Sequence, residues 1–268
     1  MPLILLIIKI YIKISNSKVY KLNMKILAIQ NRMGIGDTVI FLPFIKAISK
    51  KYNTPVSILV KKSSKAEQFL NQTNYIDQII FLERDNKKNQ KHNGIFGSLR
   101  LVNDLKKYNF DKVFIFNSSL RFNIIARLSG IKKIYQYPLF EKNKQHIIDP
   151  AKDLIKKNLN TDIGNVPEIQ IDDYLIEKAV SKFDINTNNL NILLAIGGSG
   201  PTKRIPSKTF LLVMEKISNI KKCKFCLATG QNKEEQIILD EIMGSKFKNK
   251  CIPLDNLTIS ETLPIIKS

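Results

Sequence analysis

From Met24 onward, short apolar runs alternate with longer stretches of helical periodicity. Residues 25–30, 55–60, 78–82, 112–116 and 133–136 are short runs that read as strands, 25–30 and 112–116 as buried ones. Between them, residues 37–51, 64–71, 96–107 and 121–129 read as helices. In the third, Leu99, Val102 and Leu105 fall near helical spacing, and Gly130 is a fitting stop for the fourth. A polar stretch with Gly164 and Pro167 follows a helical segment, 142–159, that breaks near Pro150. After a helix over 172–183 the alternation resumes. Strands are predicted at 191–196, 224–229 and 250–253, helices at 208–220 and 233–243, and a further helix starts at Ser260. Strands separated by helices form βαβ units, so the pattern predicts an α/β chain with mostly parallel sheets. It divides into residues 1–23, an N-terminal extension; 24–165, a first Rossmann-like domain; 166–190, a linker and helix; and 191–268, a second, partial Rossmann-like domain. Ligands of such folds sit beyond the carboxyl ends of the strands and between domains.

Residues 1–23 stand outside this alternation. The apolar run from Pro2 to Ile8 is interrupted by Lys9 and Lys13 and is too short to span a bilayer. It lacks the basic start and small-residue cleavage site of a signal peptide. The expectation is an upstream extension with Met24 as the functional start; a weakly membrane-associating segment is the other reading.

Composition narrows the function classes. The 268 residues are 44% hydrophobic and 25% charged, the balance of a folded protein. The net charge of +20 favours anionic partners. The excess is almost all lysine, scattered along the chain, and arginine is confined to Arg32, Arg84, Arg100, Arg121, Arg127 and Arg204. Nucleic-acid readers rely on arginine forks interleaved with aromatics, so no nucleic-acid partner is expected. A general lysine bias explains the charge; attraction to an anionic membrane face is the alternative. Cys223, Cys226 and Cys251 are too few for a disulfide framework and fit a reducing compartment, hence a cytoplasmic location. Cys223 and Cys226 have the spacing of a redox pair, but on a strand positions three apart point to opposite faces. No metal or cofactor is expected; Asp172-Asp173 reads as a helix start.

Two glycine-rich turns carry the chemistry. The first runs Asn31-Arg-Met-Gly-Ile-Gly-Asp-Thr38, between the first strand and the first helix. Gly34 and Gly36 allow a tight turn. Asp37 would sit at the start of the helix, where a carboxylate caps free N–H groups and suits the helix dipole. A nicotinamide site would need a third Gly or Ala where Val39 stands. The second turn, Gly197-Gly-Ser-Gly-Pro-Thr-Lys-Arg-Ile-Pro206, offers backbone N–H groups and a lysine to an anion. Lys203 is followed by Arg204, so it is not a Walker loop. A plain Gly/Pro connection remains the alternative for this turn, and helix capping for Asp37.

The stretch Met24 to Pro43, with its strand, Gly36-Asp37 turn and helix carrying a proline, resembles the opening of the family 9 glycosyltransferases, the lipopolysaccharide heptosyltransferases. The second turn is similar to that family's as well: Lys203 and Pro206 match, while Ile205 replaces the usual tryptophan. The resemblance extends from Met24 to the end. It implies a GT-B-like fold and an inverting, metal-independent transfer of a sugar, heptose by analogy, from a nucleoside diphosphate (ADP-heptose) to a lipid-linked or other glycan acceptor. By the resemblance Asp37 is the catalytic base. Ser199 and Lys203 contact the donor diphosphate, within the turn formed by Gly197 and Gly198. Glu234, with Glu235 close behind, binds the donor nucleoside. The location implied is cytoplasmic, with peripheral association at the inner membrane face. After the helix beginning near Ser260 the family continues into an Asp-Thr/Ser-Gly-Pro-x-His turn that this sequence does not reach. The expectation is therefore a piece of a longer transferase with an incomplete second domain. A naturally short chain acting as a non-catalytic sugar-nucleotide or glycan-binding module is the alternative.

Overall fold

A computed structural model describes residues 24–32, 34–84, 90–139, 146–161, 163–164, 166–197 and 204–268. The N-terminal extension (1–23) and three of the expected donor-site residues, Gly198, Ser199 and Lys203, lie outside the described residues.

The chain forms two compact units. The first comprises the chain up to Ser64 together with Asn74–Glu168; the second comprises Lys65–Thr73 and Ile169–Ser268. In the first unit the elements run β1 (Ile26–Ile29), α1 (Ile35–Tyr52), β2 (Val56–Lys61), β3 (Ile76–Leu82), α2 (Gly94–Lys106), β4 (Lys112–Ile115), α3 (Leu120–Leu128), β5 (Lys133–Gln136) and α4 (Asp149–Leu159). All five strands pair in parallel in the order β3-β2-β1-β4-β5. Strand β1 is apolar throughout because both its faces are covered. On one face Leu27, Ile29, Leu59, Val113 and Ile115 pack against Leu101, Val102 and Leu105 of α2 and Phe122, Ile125 and Ala126 of α3. The opposite face meets α1, whose Phe41, Leu42, Phe44, Ile45 and Ile48 are fully buried, with Phe41 edge-on to Phe116 at 5.2 Å. Each such side chain contributes about 1.5–3 kcal/mol of burial. That is ample to hold α1 helical through Pro43, which lies within its 18 residues.

The predicted helix at 64–71 is replaced by two 3₁₀ turns, Lys62–Ser64 and Ala66–Gln68. Lys65 between them adopts a left-handed backbone, φ 49°, which breaks the helical run. The second turn belongs to the second unit. Gln68 Oε1 accepts from Ile259 N at 3.1 Å, and Gln72 Oε1 from Asp172 N at 3.0 Å.

The second unit contains α5 (Asp173–Lys182), β6 (Leu190–Ala195), α6 (Ser207–Ile220), β7 (Cys223–Thr229), α7 (Lys233–Met243), β8 (Cys251–Asp255) and α8 (Ile259–Lys267). Its strands are parallel in the order β6-β7-β8. Phe210 and Met214 of α6 and Leu239 and Ile242 of α7 cover one face together with Cys223, Phe225 and Leu227. Ala179 of α5 and Ile265 of α8 cover the other, with Cys226 and Leu254. Cys223 and Cys226 thus enter separate clusters, as their strand spacing requires. Asp172 caps α5, its Oδ1 accepting from Tyr174 N at 2.9 Å, which is the helix-start role expected of it. Among the described residues no helix is long and apolar enough to cross a membrane, and no group of three or more His, Cys, Asp or Glu could hold a metal ion.

Candidate functional site

In the first unit the strand order reverses direction between β1 and β4. A parallel sheet opens a crevice beyond the carboxyl ends of its strands at that switch point. The turn after β1 lies there. Gln30, 2% exposed, holds it together: its Oε1 accepts from Arg32 N at 2.9 Å, and its Nε2 donates to the Asp37 carbonyl at 3.1 Å. Gly34 N donates to Asp37 Oδ2 at 3.0 Å, closing the first turn of α1. A Cβ on Gly34 would lie 3.0 Å from that same oxygen, so the glycine is fitted to the carboxylate. Asp37 is half-buried. Among the described residues, its second oxygen has no protein donor in hydrogen-bond reach. One oxygen thus caps the helix.

Across the switch point Asn117, just past β4, donates from Nδ2 to Asn31 Oδ1 at 3.3 Å. Gln136 at the end of β5 donates to the carbonyls of Asn117 (3.0 Å) and Ser119 (2.9 Å), and its Oε1 accepts from Asn123 Nδ2 at 2.7 Å. Arg121, on the first turn of α3, donates from Nη2 to the His92 carbonyl at 2.5 Å, while its Nε is buried with no partner among the described residues. Burial, then the charge of Arg84, pushes the Arg121 guanidinium below its ordinary pKa. Burial pushes the Tyr137 phenol up, with Arg32 pulling the other way. Sequence reasoning singled out Asp37 and missed Gln30, Asn117, Arg121 and Gln136. Gln30 shares the turn that holds Asp37, whereas Asn117 and Gln136 stand at the ends of β4 and β5 and Arg121 at a helix start, and only the strand order sets those ends beside β1 in one row.

In the second unit the sheet's carboxyl end carries Gly197, Thr229, Gly230 and Asp255. Asp255 Oδ1 accepts from Thr229 Oγ1 at 2.8 Å and from Gln236 Nε2 at 2.6 Å; Gln236 Nε2 also donates to the Gly230 carbonyl at 2.8 Å. The helix start after β7 places the two candidate glutamates differently. Glu235 is buried, 7% exposed, and its Oε2 accepts from Gly230 N at 2.8 Å. A Cβ on Gly197 or Gly230 would lie 3.1 Å from that oxygen, so both glycines close over Glu235. Glu234 is an exposed neighbour, ion-paired to Arg204. The sequence contains a signal for this choice. Glu235 is in helical phase with the buried Leu239 and Ile242, whereas Glu234 is one step off it.

No protein-family model matches the sequence, and no curated protein sequence does. Solved structures do match. A family 9 glycosyl transferase from Veillonella parvula superposes with a TM-score of 0.70 at 16% identity, over 90% of this chain and 72% of that one. ADP-heptose lipopolysaccharide heptosyltransferase II of E. coli gives 0.66 at 14% identity, over 91% and 76%. The E. coli heptosyltransferase WaaC, solved with ADP-2-deoxy-2-fluoro heptose, gives 0.63 at 12% identity, over 91% and 80%. Identity this low speaks for fold alone. The chain therefore has the GT-B-like α/β fold, built on two parallel sheets, that the heptosyltransferases and family 9 glycosyltransferases share.

Proposed function

We propose that the protein is a nucleotide-sugar glycosyltransferase. It transfers a sugar, heptose being the leading candidate, from a nucleoside diphosphate to a hydroxyl of a lipopolysaccharide-type or other glycan acceptor. The observation that carries the reading is the state of Asp37. It sits half-buried at the switch point, one oxygen fixed by Gly34 N and the other without a partner among the described residues. A general base needs a positioned, ionised carboxylate with an oxygen to spare.

As the acceptor oxygen attacks the anomeric carbon, its proton passes to Asp37. The bond from that carbon to the diphosphate oxygen breaks, and its electron pair leaves with the nucleoside diphosphate. Attack opposite the leaving group inverts the anomeric centre. Negative charge grows on the diphosphate as the bond breaks, and Lys203 and Ser199, which follow β6 in the sequence, are the groups proposed to meet it. Gly197 and Gly198 let the backbone approach the phosphates. For the nucleoside, Glu234 was the residue drawn from the sequence. Glu235, held against Gly230 and beneath Gly197, has the fixed position that ribose hydroxyls require, and we assign it the larger part.

Donor binding tests this half of the reading by titration calorimetry with ADP-, GDP- and UDP-sugars. One nucleotide class should bind, and Lys203→Ala should weaken it by roughly tenfold or more, the loss of one charge-assisted phosphate contact. Glu235→Gln should weaken it more than Glu234→Gln. No binding of any nucleotide sugar, or equal binding by all three variants, contradicts the assignment.

A further inference from the structure

Helices α2 and α3 lie side by side on one face of the first unit's sheet, and their outward sides are unusual. On α2, Ile95 is 81% exposed, Phe96 78% and Leu99 48%; on α3, Leu120, Ile124 and Leu128 are each close to half exposed. The last three repeat every four residues and form one stripe. Arg100 and Lys106 share the exposed side of α2, exposed Lys107 follows its last turn, and Arg127 lies on the exposed side of α3. Asp104 is the single acid in either helix, and it is occupied by Lys91, His92 and Lys107. Its pKa is lowered: burial would raise it, but the hydrogen bonds of Lys91, His92 and Lys107 and the charge of Lys91 outweigh that. The layer is thus apolar and cationic with no free carboxylate.

We propose that this α2–α3 face docks the protein onto an anionic lipid bilayer. A folded domain seldom leaves so many large apolar side chains together in water without a partner. The partner's chemistry follows from the charges around them. Phe96, Ile95 and the leucines enter the interfacial layer while Arg100, Lys106, Lys107 and Arg127 meet lipid phosphates. A second copy seated on the same face by two-fold symmetry would bring these cations against themselves, and neither helix has a free carboxylate to offset them. Both helices begin at the carboxyl end of the parallel strands, the end that holds Asp37. Docking by this face therefore keeps that end near the membrane surface, where a lipid-linked acceptor resides. The docking itself does not depend on the transferase reading, and vesicle binding is measured without turnover.

Flotation of the full chain with vesicles tests it. The wild type should float with phosphatidylglycerol-containing vesicles and not with pure phosphatidylcholine. The triple variant Ile95→Ser, Phe96→Ser and Leu99→Ser keeps the net charge, and all three side chains are exposed, so its thermal melt should match wild type. Its binding should fall about tenfold or more, as three interfacial anchors are lost. Arg100→Ser with Arg127→Ser should weaken binding and flatten its salt dependence, whereas Leu212→Ser, on an exposed position of α6, should change nothing. Three results overturn the proposal. The triple variant could bind as tightly as wild type, which would leave overall charge as the cause. Binding could vanish on removal of residues 1–23 while ignoring the helix variants. Sedimentation could show a dimer that the triple variant dissociates, which would make the second copy the occupant.

Discussion

Replacing Asp37 by Asn separates two roles that the structure gives to one carboxylate. As a cap, Asp37 accepts from Gly34 N at 3.0 Å and puts a negative charge in the first turn of α1. Asparagine keeps an acceptor oxygen, so the structural loss is mainly the charge on the helix dipole, about 0.3–1 kcal/mol. In a domain of this size a loss of about 1 kcal/mol lowers Tm by roughly 2–4 °C. As a base, the same residue is worth roughly 10²–10⁴ in rate, or about 2.7–5.4 kcal/mol in the barrier. The catalytic effect therefore exceeds the structural one several-fold in energy, and at 25 °C the small stability loss leaves the folded fraction unchanged. The assay is release of nucleoside diphosphate in the presence of acceptor, paired with a thermal melt. The expected result is turnover down at least a hundredfold, Tm within about 4 °C of wild type, and donor affinity unchanged. Turnover within about threefold of wild type would refute the reasoning and leave Asp37 as a cap alone.

Other positions carry predictions of their own. A Cβ on Gly97 would lie 2.2 Å from the His92 carbonyl carbon, backbone that α2 cannot easily move; Gly97→Ala should cost about 1–3 kcal/mol, and an unchanged melt would contradict the packing. The Asp104 pKa is held low, so its ion pairs stabilise the fold above the unfolded value near about 3.9 and are lost as pH falls through the lower folded value. The stability gap between wild type and Asp104→Asn should be full at neutral pH and close in acid; a gap that persists in strong acid would contradict this. Burial pushes the Cys251 thiol up to about 11, Lys224 opposing, and Cys223 and Cys226 are buried. Alkylation by iodoacetamide at neutral pH should therefore be slow at all three, and denaturant should release it; fast labelling of the folded protein would contradict the burial of Cys223 and Cys226 and the raised Cys251 thiol.

Much of the fold was legible because burial imposes periods on the sequence. A strand covered on both faces, such as β1, is a continuous apolar run, and α1, read over 37–51, forms over Ile35–Tyr52 despite Pro43. Most elements end within a residue or two of the predicted bounds. The segment 64–71 was not legible in this way. Its composition suits a helix, but the left-handed Lys65 breaks it, and its contacts to Gln68 and Gln72 come from residues a hundred or more positions away. Strand order was illegible for the same reason, since parallel pairing joins residues with no local signature. At the site, Asp37 was visible because a Gly-Asp turn between strand and helix is a local pattern. The support given by Asn117 and Gln136 depends on which strands are neighbours, whereas Gln30 acts within its own turn. The preference for Glu235 over Glu234 lay within reach, in the phase shared with Leu239 and Ile242, but adjacent glutamates at a helix start look alike until the helix is set against its sheet.

The central claim is sugar transfer from a nucleoside diphosphate. Its most direct test is mass spectrometry of a lipopolysaccharide-core acceptor after incubation with protein and ADP-heptose, with NMR to assign the new linkage. The account predicts an acceptor heavier by one heptose residue, one ADP released per transfer, inverted anomeric configuration, and none of this with Asp37→Ala. An unchanged acceptor despite tight donor binding would contradict the transferase reading and leave a sugar-nucleotide binding protein.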